Sequence, residues 1–553
     1  MPVSAQAVAG KVSEKVATPR AARRAPEPDA RAGGAGRGAA GPAAGVGSGA
    51  VTAIGVAAVA LSLALMHERS SGAELAAILR EELKCYSPGE KLPSSRALVE
   101  RHRVSPVTVS RALAELAAEG LVVTRPGAGA FRAEPRRATP PPVDTSWQEI
   151  ALSAEPAGDQ VPRSVDASGV LATLSAPGPG VIELNGGYLP PALQPERALA
   201  AALARAGRRP GAWSRPAVDG VPELRAWFAR EIGGPGGPLS ANDVLITAGG
   251  QSALTAALRA LAAPGAPVLV ESPTYPGMLA VARASGLRPV PVPMDADGVR
   301  TDLLADAFRV SGARLFVCQP LFQNPSGAVL AAERRREVLR VARAAGAFVV
   351  EDDFARLLGH ADAPPLPPTL LADDPDGTVV HVRSLTKATS PSLRVGALAA
   401  RGPVFDRLRA IQVVDSFFVP GPLQEAALEL VGSPAWPRHL RLIAGELTSR
   451  RQTVRAALQR ELPALAVAGA GQRTALGGYH LWLRLPDGTD EAALTGAALH
   501  AGVAVAAGRP YFAAEPPAAH LRLSYASAAG AAELTEGVRR LRTACDELGV
   551  PVA

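Results

Sequence analysis

Ser384-Leu385-Thr386-Lys387-Ala388-Thr389-Ser390-Pro391-Ser392-Leu393-Arg394-Val395-Gly396 sets one lysine among small hydroxyl residues, with an arginine seven positions on and a glycine after it. A lysine amine captures an aldehyde only where its site lowers its pKa and a second group holds the rest of the molecule. Ser384 and Arg394 offer to hold a phosphate, which makes the expected aldehyde a phosphorylated one. The same letters also fit a solvated loop lysine. Whether the chain surrounds Lys387 with a pocket decides between the two.

Upstream of that stretch, short apolar runs alternate with helical patterns. Val244-Leu245-Ile246, Val268-Leu269-Val270, Leu315-Phe316-Val317, Phe348-Val349-Val350 and Val379-Val380-His381-Val382 read as strands, with helices such as Ser252 to Leu261 and Glu333 to Ala345 between them. Alternation of this kind predicts an α/β domain with a mainly parallel sheet covered on both faces. Ligands bind such sheets at the carboxyl ends of the strands.

Each strand end carries a polar signature. Thr247-Ala248-Gly249-Gly250-Gln251-Ser252 opens a helix whose free amides suit a phosphate, though a tight glycine turn would use the same letters. Tyr275, in Glu271-Ser272-Pro273-Thr274-Tyr275-Pro276-Gly277, is braced between prolines and suited to stack on a flat ring. Asn324, in Pro320-Leu321-Phe322-Gln323-Asn324-Pro325-Ser326-Gly327, has an amide able to donate to a ring oxygen. Glu351-Asp352-Asp353 offers a carboxylate for a protonated pyridine nitrogen. The fifth strand leads to Lys387.

The other end of the chain reads differently. Residues 1 to about 50 are Ala, Gly and Pro with scattered Arg, too few bulky apolar side chains to offset ordering, so a disordered tail is expected. Leu75, Ile78, Leu79 and Leu83 then fall at helical spacing until Pro88-Gly89. Ser94 reads as the N-cap of a short helix with Leu98 inward. Ser105 caps a third helix with Pro106 at its first position, Val109, Leu113 and Leu116 inward, Thr108 and Arg111 outward, and Gly120 past its end. Leu121 to Thr124 and Ala130-Phe131-Arg132 read as strands about the turn Arg125-Pro126-Gly127-Ala128-Gly129. Three helices and a two-stranded wing predict a winged helix-turn-helix, and seven Lys and Arg against three Glu from Lys91 to Arg132 favour a polyanion. A small helical docking domain is the alternative.

Composition bounds the rest. At 553 residues and 47% hydrophobic the chain can bury a large core in at least two domains, and its net charge of +7 favours polyanionic partners. Cys85, Cys318 and Cys545 lie far apart, so no disulfide framework and no zinc site is expected, and a reducing cytoplasm fits. Val51 to Met66 would reach only about 24 Å as a helix against a hydrocarbon core of about 30 Å, so no membrane partner is expected. The organisation expected is an extension over 1–66, a winged helix over 67–134, a Pro- and Ala-rich linker over 135–178 with Trp147, Ile150 and Leu152 as anchors, and a large domain over 179–553.

Two resemblances give these readings a function. Pro88-Gly89-Glu90-Lys91-Leu92-Pro93-Ser94-Ser95-Arg96, Val104-Ser105-Pro106-Val107-Thr108-Val109-Ser110-Arg111-Ala112-Leu113 and Glu119-Gly120-Leu121 resemble the DNA-binding domain of GntR-type bacterial regulators. That implies DNA contacts by Ser95, Arg96, Ser105, Thr108 and Arg111, with Gly127 and Gly129 letting the wing approach the backbone; Pro106 stands where relatives often carry Arg. Residues 180 to 553 resemble the fold type I aminotransferases, with a smaller C-terminal α+β subdomain. The resemblance implies pyridoxal 5'-phosphate, with Lys387 forming the aldimine, Asp352 on the pyridine nitrogen, Asn324 on the ring oxygen and Tyr275 stacked. Ser384, Arg394, Gly250 and Gln251 would take the phosphate, and Arg522, in His520-Leu521-Arg522-Leu523-Ser524-Tyr525, a substrate or effector carboxylate.

Departures from the second pattern are Phe354, where the family has Tyr, and Arg215, near the position whose Tyr reaches a partner subunit's phosphate. Together the two halves resemble the MocR subfamily of transcriptional regulators, which implies a homodimer on double-stranded DNA in the cytoplasm, at the nucleoid, controlled by the cofactor and an amino compound. A working aminotransferase with an accessory DNA-binding domain, and a sensor of pyridoxal phosphate itself, are the competing readings.

Overall fold

The computed structural model describes residues 72–125, 127–134, 147–148, 167–175, 177–465 and 476–552. The expectations for the N-terminal tail, Val51 to Met66, Pro140 to Pro142, Ile150 and Leu152 fall outside them. The chain divides into two compact units, Met1–Leu152 and Ser153–Ala553.

In the first unit, helices α1 (72–82), α2 (Ser95–His102) and α3 (Pro106–Ala118) precede the hairpin β1 (Val122–Arg125) and β2 (Gly129–Arg132). Ser94 and Ser105 are the N-caps expected, their hydroxyls accepting from the amides of Ala97 and Thr108. Leu75, Leu79, Leu98, Val109, Leu113 and Leu116 close a core against Val122 and Ala130. Gly127 and Gly129, at φ 74° and 107°, turn the hairpin through a region that disfavours side chains.

Three details differ from expectation. Ile78 is 51% exposed, because the stripe Leu75, Leu79, Leu83 advances away from it around the helix. Thr108 does not face outward: it is 4% exposed, in one row with Ala112 and Leu116, and its hydroxyl lies 2.8 Å from that of Ser105. The stripe of α3 is wider than its large side chains suggested, since Ala112 is buried without being bulky. Trp147, expected as an anchor, is 63% exposed. Ser105→Ala is therefore expected to weaken α3 by about 1 kcal/mol through loss of the cap, read as faster amide exchange in its first turn without DNA present.

The second unit is built on an eight-stranded sheet ordered β4 (Val244–Thr247), β11 (Gly396–Ala399), β10 (Val379–Ser384), β9 (Phe348–Asp353), β8 (Leu315–Cys318), β5 (Pro267–Ser272), β6 (Arg288–Asp295) and β7 (Gly298–Val299). The five strands expected are β4 (Val244–Thr247), β5 (Pro267–Ser272), β8 (Leu315–Cys318), β9 (Phe348–Asp353) and β10 (Val379–Ser384). Neighbours from β10 to β6 (Arg288–Asp295) run parallel, and β11 (Gly396–Ala399) lies antiparallel between β10 and β4. Apolar side chains of β4, β5, β8, β9 and β10 alternate between two cores, one on each face, so burial on both sides explains their unbroken apolar runs. β6 carries Pro289, Pro291 and Pro293. Successive residues of a strand direct their amides to opposite sides, so the three missing donors share one edge. That edge is the one followed only by the two-residue β7 (Gly298–Val299).

A smaller three-stranded antiparallel sheet, with β15 (His520–Ser524) between β12 (His480–Arg484) and β14 (Ala506–Ala507), packs with C-terminal helices as the α+β part expected. Among the described residues no helix is long and apolar enough to cross a membrane.

Candidate functional site

The carboxyl ends of the parallel strands converge on one cavity, with about 760 Å³ of empty space partly open to solvent. All nine residues assigned from the sequence to a cofactor or carboxylate line it: Lys387, Asp352, Asn324, Tyr275, Ser384, Arg394, Gly250, Gln251 and Arg522. Residues up to 272 positions apart (Gly250 to Arg522) therefore share one chamber.

At one end, helix α5 (Gly250–Leu261) begins at Gly249, whose φ of 86° only glycine adopts readily. A Cβ there would come within 2.9 Å of the Arg394 guanidinium, so the backbone and Arg394 are in close approach. Arg394 sits in the left-handed region at φ 49°, and its Nη2 donates to Ala248 O at 2.7 Å. Ser384 Oγ accepts from Thr386 N at 3.2 Å, beside the free first-turn amides of α5. Gln251 Nε2 donates to Gly277 O, and Tyr275 donates to Gln251 Oε1, which ties the Tyr275 ring to the same helix.

β9 presents three carboxylates in a row, and strand alternation separates them. Asp352 faces the cavity, where burial, reinforced by Asp353, raises its pKa to about 6 against the stabilising bond from Gln319 Nε2 at 2.7 Å. Glu351 and Asp353 face the other side. There Glu351 accepts from the amides of Leu370 and Leu371 and meets His381 Nδ1 at 2.8 Å, while Asp353 is held by Arg356 and Arg383. Glu351, Asp353 and His381 place three potential metal-ligand atoms within 4.8 Å of one another. Two arginines on Asp353 and two amides on Glu351 already commit those carboxylates to protein donors, which disfavours a cation there.

Lys387 Nζ donates to Gly187 O at 2.9 Å and lies 3.9 Å from the centre of the Tyr188 ring. Burial, then repulsion from Arg522 and Arg394, lowers its pKa to about 7. A good part of the amine is therefore neutral at physiological pH, the form that attacks a carbonyl. Arg522 is 3% exposed; its Nη1 donates to Asn324 Oδ1 at 3.3 Å and its Nη2 to Asn185 O at 2.5 Å. Its Nε has no hydrogen-bond partner among the described residues, although the group is buried. Since Asn324 Oδ1 accepts from Arg522, the Asn324 Nδ2 remains a donor.

Several cavity residues were not singled out from the sequence. Gln319, just after β8, bonds Asp352 with its amide nitrogen and accepts from Asn324 N with its oxygen, so it positions both. Tyr188 and Tyr479 flank Lys387. Thr173 and Leu174 come from helix α4 (Ser168–Leu174), inside the stretch expected to be linker. Phe354 also lines the cavity and stacks on His480 with ring centres 6.4 Å apart. Arg215 is exposed and does not line its own chain's cavity.

Residues 181–541 match the family described as aminotransferase class I and II. The chain belongs to that family. Residues 72–131 match the bacterial regulatory proteins of the gntR family, so this aminotransferase-class chain carries a GntR-type helix-turn-helix segment, which implies DNA binding. It is 31% identical over 367 residues to the 2-aminoadipate transaminase of Thermus thermophilus, spanning 66% of this chain and 89% of that one. It is 28% identical over 475 residues to the HTH-type transcriptional regulator TauR of Rhodobacter capsulatus, spanning 83% and 93%. The crystal structure of α-aminoadipate aminotransferase from Thermus thermophilus, complexed with N-(5'-phosphopyridoxyl)-L-leucine, superposes with a TM-score of 0.64 at 30% identity, over 73% of this chain and 99% of that one. The aminotransferase-class fold thus accounts for the second unit, and the similarity to an HTH-type transcriptional regulator spans most of the chain.

Proposed function

We propose that this protein is a pyridoxal-phosphate-dependent transcriptional regulator: a homodimer that binds double-stranded DNA through the winged unit and senses an amino compound in the aminotransferase-class cavity. The observation that carries this reading is the union, in one chain, of a GntR-type segment with a cavity lined by every expected cofactor residue. The residues fit the cofactor on their own geometry, since the Gly249 turn at φ 86° disfavours a side chain and brings the backbone against the Arg394 guanidinium, Asp352 is a buried carboxylate at a strand end, and the Lys387 amine is partly neutral near pH 7. Bound there, pyridoxal phosphate supplies an aldehyde for amines and a ring that withdraws their electrons.

In this reading Lys387 anchors the cofactor covalently, Asp352 keeps the ring nitrogen protonated, Asn324 donates to the ring oxygen and Tyr275 stacks. Ser384, Arg394, Gly250 and Gln251 hold the phosphate, Arg522 takes the effector's carboxylate, and Arg215 serves the partner subunit. Ser95, Arg96 and Arg111 meet the DNA with Gly127 and Gly129 on the wing, while Ser105 and Thr108 contribute chiefly by shaping the start of α3. Ser95 and Arg96 are exposed at the start of α2, which supports contact, and Arg111 is half-buried. In the same reading the domains run over 67–134 and 179–553, after an extension over 1–66 and with a linker over 135–178 that contains α4, and the protein works in the cytoplasm at the nucleoid.

Operator affinity tests the reading. With a duplex enriched from a random-sequence pool, adding pyridoxal phosphate and then candidate amines should change the affinity; an affinity indifferent to both would overturn it. Arg96→Ala is expected to lower affinity for all sequences alike and to reduce the slope of log K against log salt by about 0.9 if it meets one phosphate. A working aminotransferase is the second reading, favoured by the partly neutral lysine beside Asp352 and Arg522. Robust steady-state turnover of an amino donor with a keto acid would make it the better one.

A further inference from the structure

A buried carboxyl group that the cofactor reading does not use lies just behind the cavity wall. β5 and β8 pair at Leu269 with Phe316 and at Val270 with Val317, and their ladder ends there. Beyond it the amide of Gln319 needs another acceptor, and Oε2 of Glu271 supplies one at 2.9 Å. The same oxygen accepts from Gln323 Nε2 at 3.3 Å. Glu271 and Gln323 are buried by their own chain, at 2% and 0% exposure, out of reach of a partner subunit. Glu271 itself does not line the cavity.

Both glutamines spend their remaining groups on the site. Gln319 donates to Asp352 Oδ2 at 2.7 Å and accepts from the amide of Asn324 at 3.0 Å. Gln323 accepts from the amide and the hydroxyl of Ser326, closing the turn that carries Asn324, and donates to Pro273 O, two residues before Tyr275. One carboxyl oxygen thus holds the two side chains that place Asp352 and Asn324. Charge does not explain the group. Burial raises the Glu271 pKa to about 8, with Asp352 adding to the rise against the two hydrogen bonds, so the carboxyl is mostly protonated at pH 7. Burying it costs free energy, and what it contributes in return is an acceptor that fixes two donors.

We propose that Glu271 is a positioning residue for the cofactor ring, acting through Gln319 on Asp352 and Asn324 and through Gln323 on the turn that carries Asn324. The proposal rests on the reading of the cavity as a pyridoxal phosphate site and adds to it a residue that does not touch the cofactor.

The test compares full-length wild type, Glu271→Met and Glu271→Gln after loading with pyridoxal phosphate. It reads the pH midpoint of the visible absorbance and the cofactor concentration at half saturation. Methionine keeps the length of the side chain and removes the acceptor. Asn324 then holds the charged ring oxygen less firmly, so the midpoint should rise by about half a unit or more and half saturation should need about tenfold more cofactor. Glutamine presents the same acceptor on an uncharged group and should keep both values at those of the wild type. A residue that served stability alone would lower the melting temperature and leave the pH midpoint in place. Should Glu271→Met fail to fold, Glu271→Asp replaces it: it keeps the acid, draws it back by one methylene, and is expected to raise the midpoint where glutamine does not. A folded methionine or aspartate variant with the wild-type midpoint overturns the positioning role. So does a glutamine variant that shifts the midpoint as far, because charge is then what the ring responds to. If the wild type itself gains no visible band that survives dialysis, the cofactor reading falls and the inference with it.

Discussion

Lys387→Ala is expected to leave a folded protein that retains no visible absorbance after dialysis against cofactor-free buffer, whereas the wild type keeps its band. Among the described residues it is the only lysine lining the cavity, its amine is partly neutral near pH 7, and without it a bound cofactor is held only by contacts that dialysis reverses. The same position gives a stability test with its own sign. A lysine whose folded pKa is about 7 and whose ordinary value is 10.5 must release its proton on folding anywhere between those values. In that window the unfolded chain binds more protons, so the cofactor-free protein gains stability as pH rises from about 7 to 10.5, and the penalty is fully present below about 7. Lys387→Met, which keeps the volume and removes the charge, is expected to stabilise the cofactor-free protein at neutral pH and to lose that advantage by pH 10.5. Identical spectra for wild type and Lys387→Ala would refute the covalent role, and a stability difference that does not change with pH would refute the buried amine.

What could be read from the sequence, and what could not, follows from how each element is stabilised. The five parallel strands announced themselves because burial on both faces demands unbroken apolar runs, and each run ended on a residue whose chemistry is hard to justify elsewhere. The choice of Asp352 among three successive carboxylates depended on resemblance; the alternation of β9 now supplies the reason. β6 escaped because Pro289, Pro291 and Pro293 look like breakers until their spacing of two is recognised as the mark of a strand paired along one side only, β7 reaching no further than Met294 and Asp295. α4 escaped for the opposite reason: none of its residues is buried, so it has no stripe to detect. Gln319 could not be told from any other glutamine after a strand, although its two ends hold Asp352 and Asn324 in register. Thr108 was misplaced because facing was inferred from large side chains alone.

Phe354 bears on what the cavity is for. A hydroxyl at position 354 would share the ring oxygen with Asn324; phenylalanine offers none, and its ring packs on His480 instead. The remaining donor set suits a ligand that is held more than one that is turned over rapidly. Phe354→Tyr is accordingly expected to lower the pH midpoint of the visible absorbance, since an added donor favours the charged form of the ring oxygen. An unchanged midpoint would mean that the new hydroxyl does not reach the oxygen.

Removing Arg522 should separate cofactor retention from effector sensing. Arg522→Met keeps Lys387 and the phosphate cradle, so the visible band survives dialysis. Amino acids lose a bidentate, charge-assisted partner of about 1.5–3 kcal/mol per hydrogen bond, and their apparent affinity is expected to fall by about two orders of magnitude or more. Operator affinity then becomes insensitive to them while still answering to the cofactor. The substitution also removes the strongest charge repulsion opposing protonation of Lys387. Capture of added pyridoxal phosphate by the cofactor-free protein needs the neutral amine, so its rate should rise with pH through a midpoint near 7 in the wild type and through a higher midpoint in Arg522→Met. Arg522→Lys keeps a charge but not the fork, and is expected to restore the wild-type midpoint more fully than the amino acid affinity. If Arg522→Met leaves amino acid affinity intact, the carboxylate lies elsewhere; if it leaves the midpoint at 7, the guanidinium does not act on the Lys387 amine.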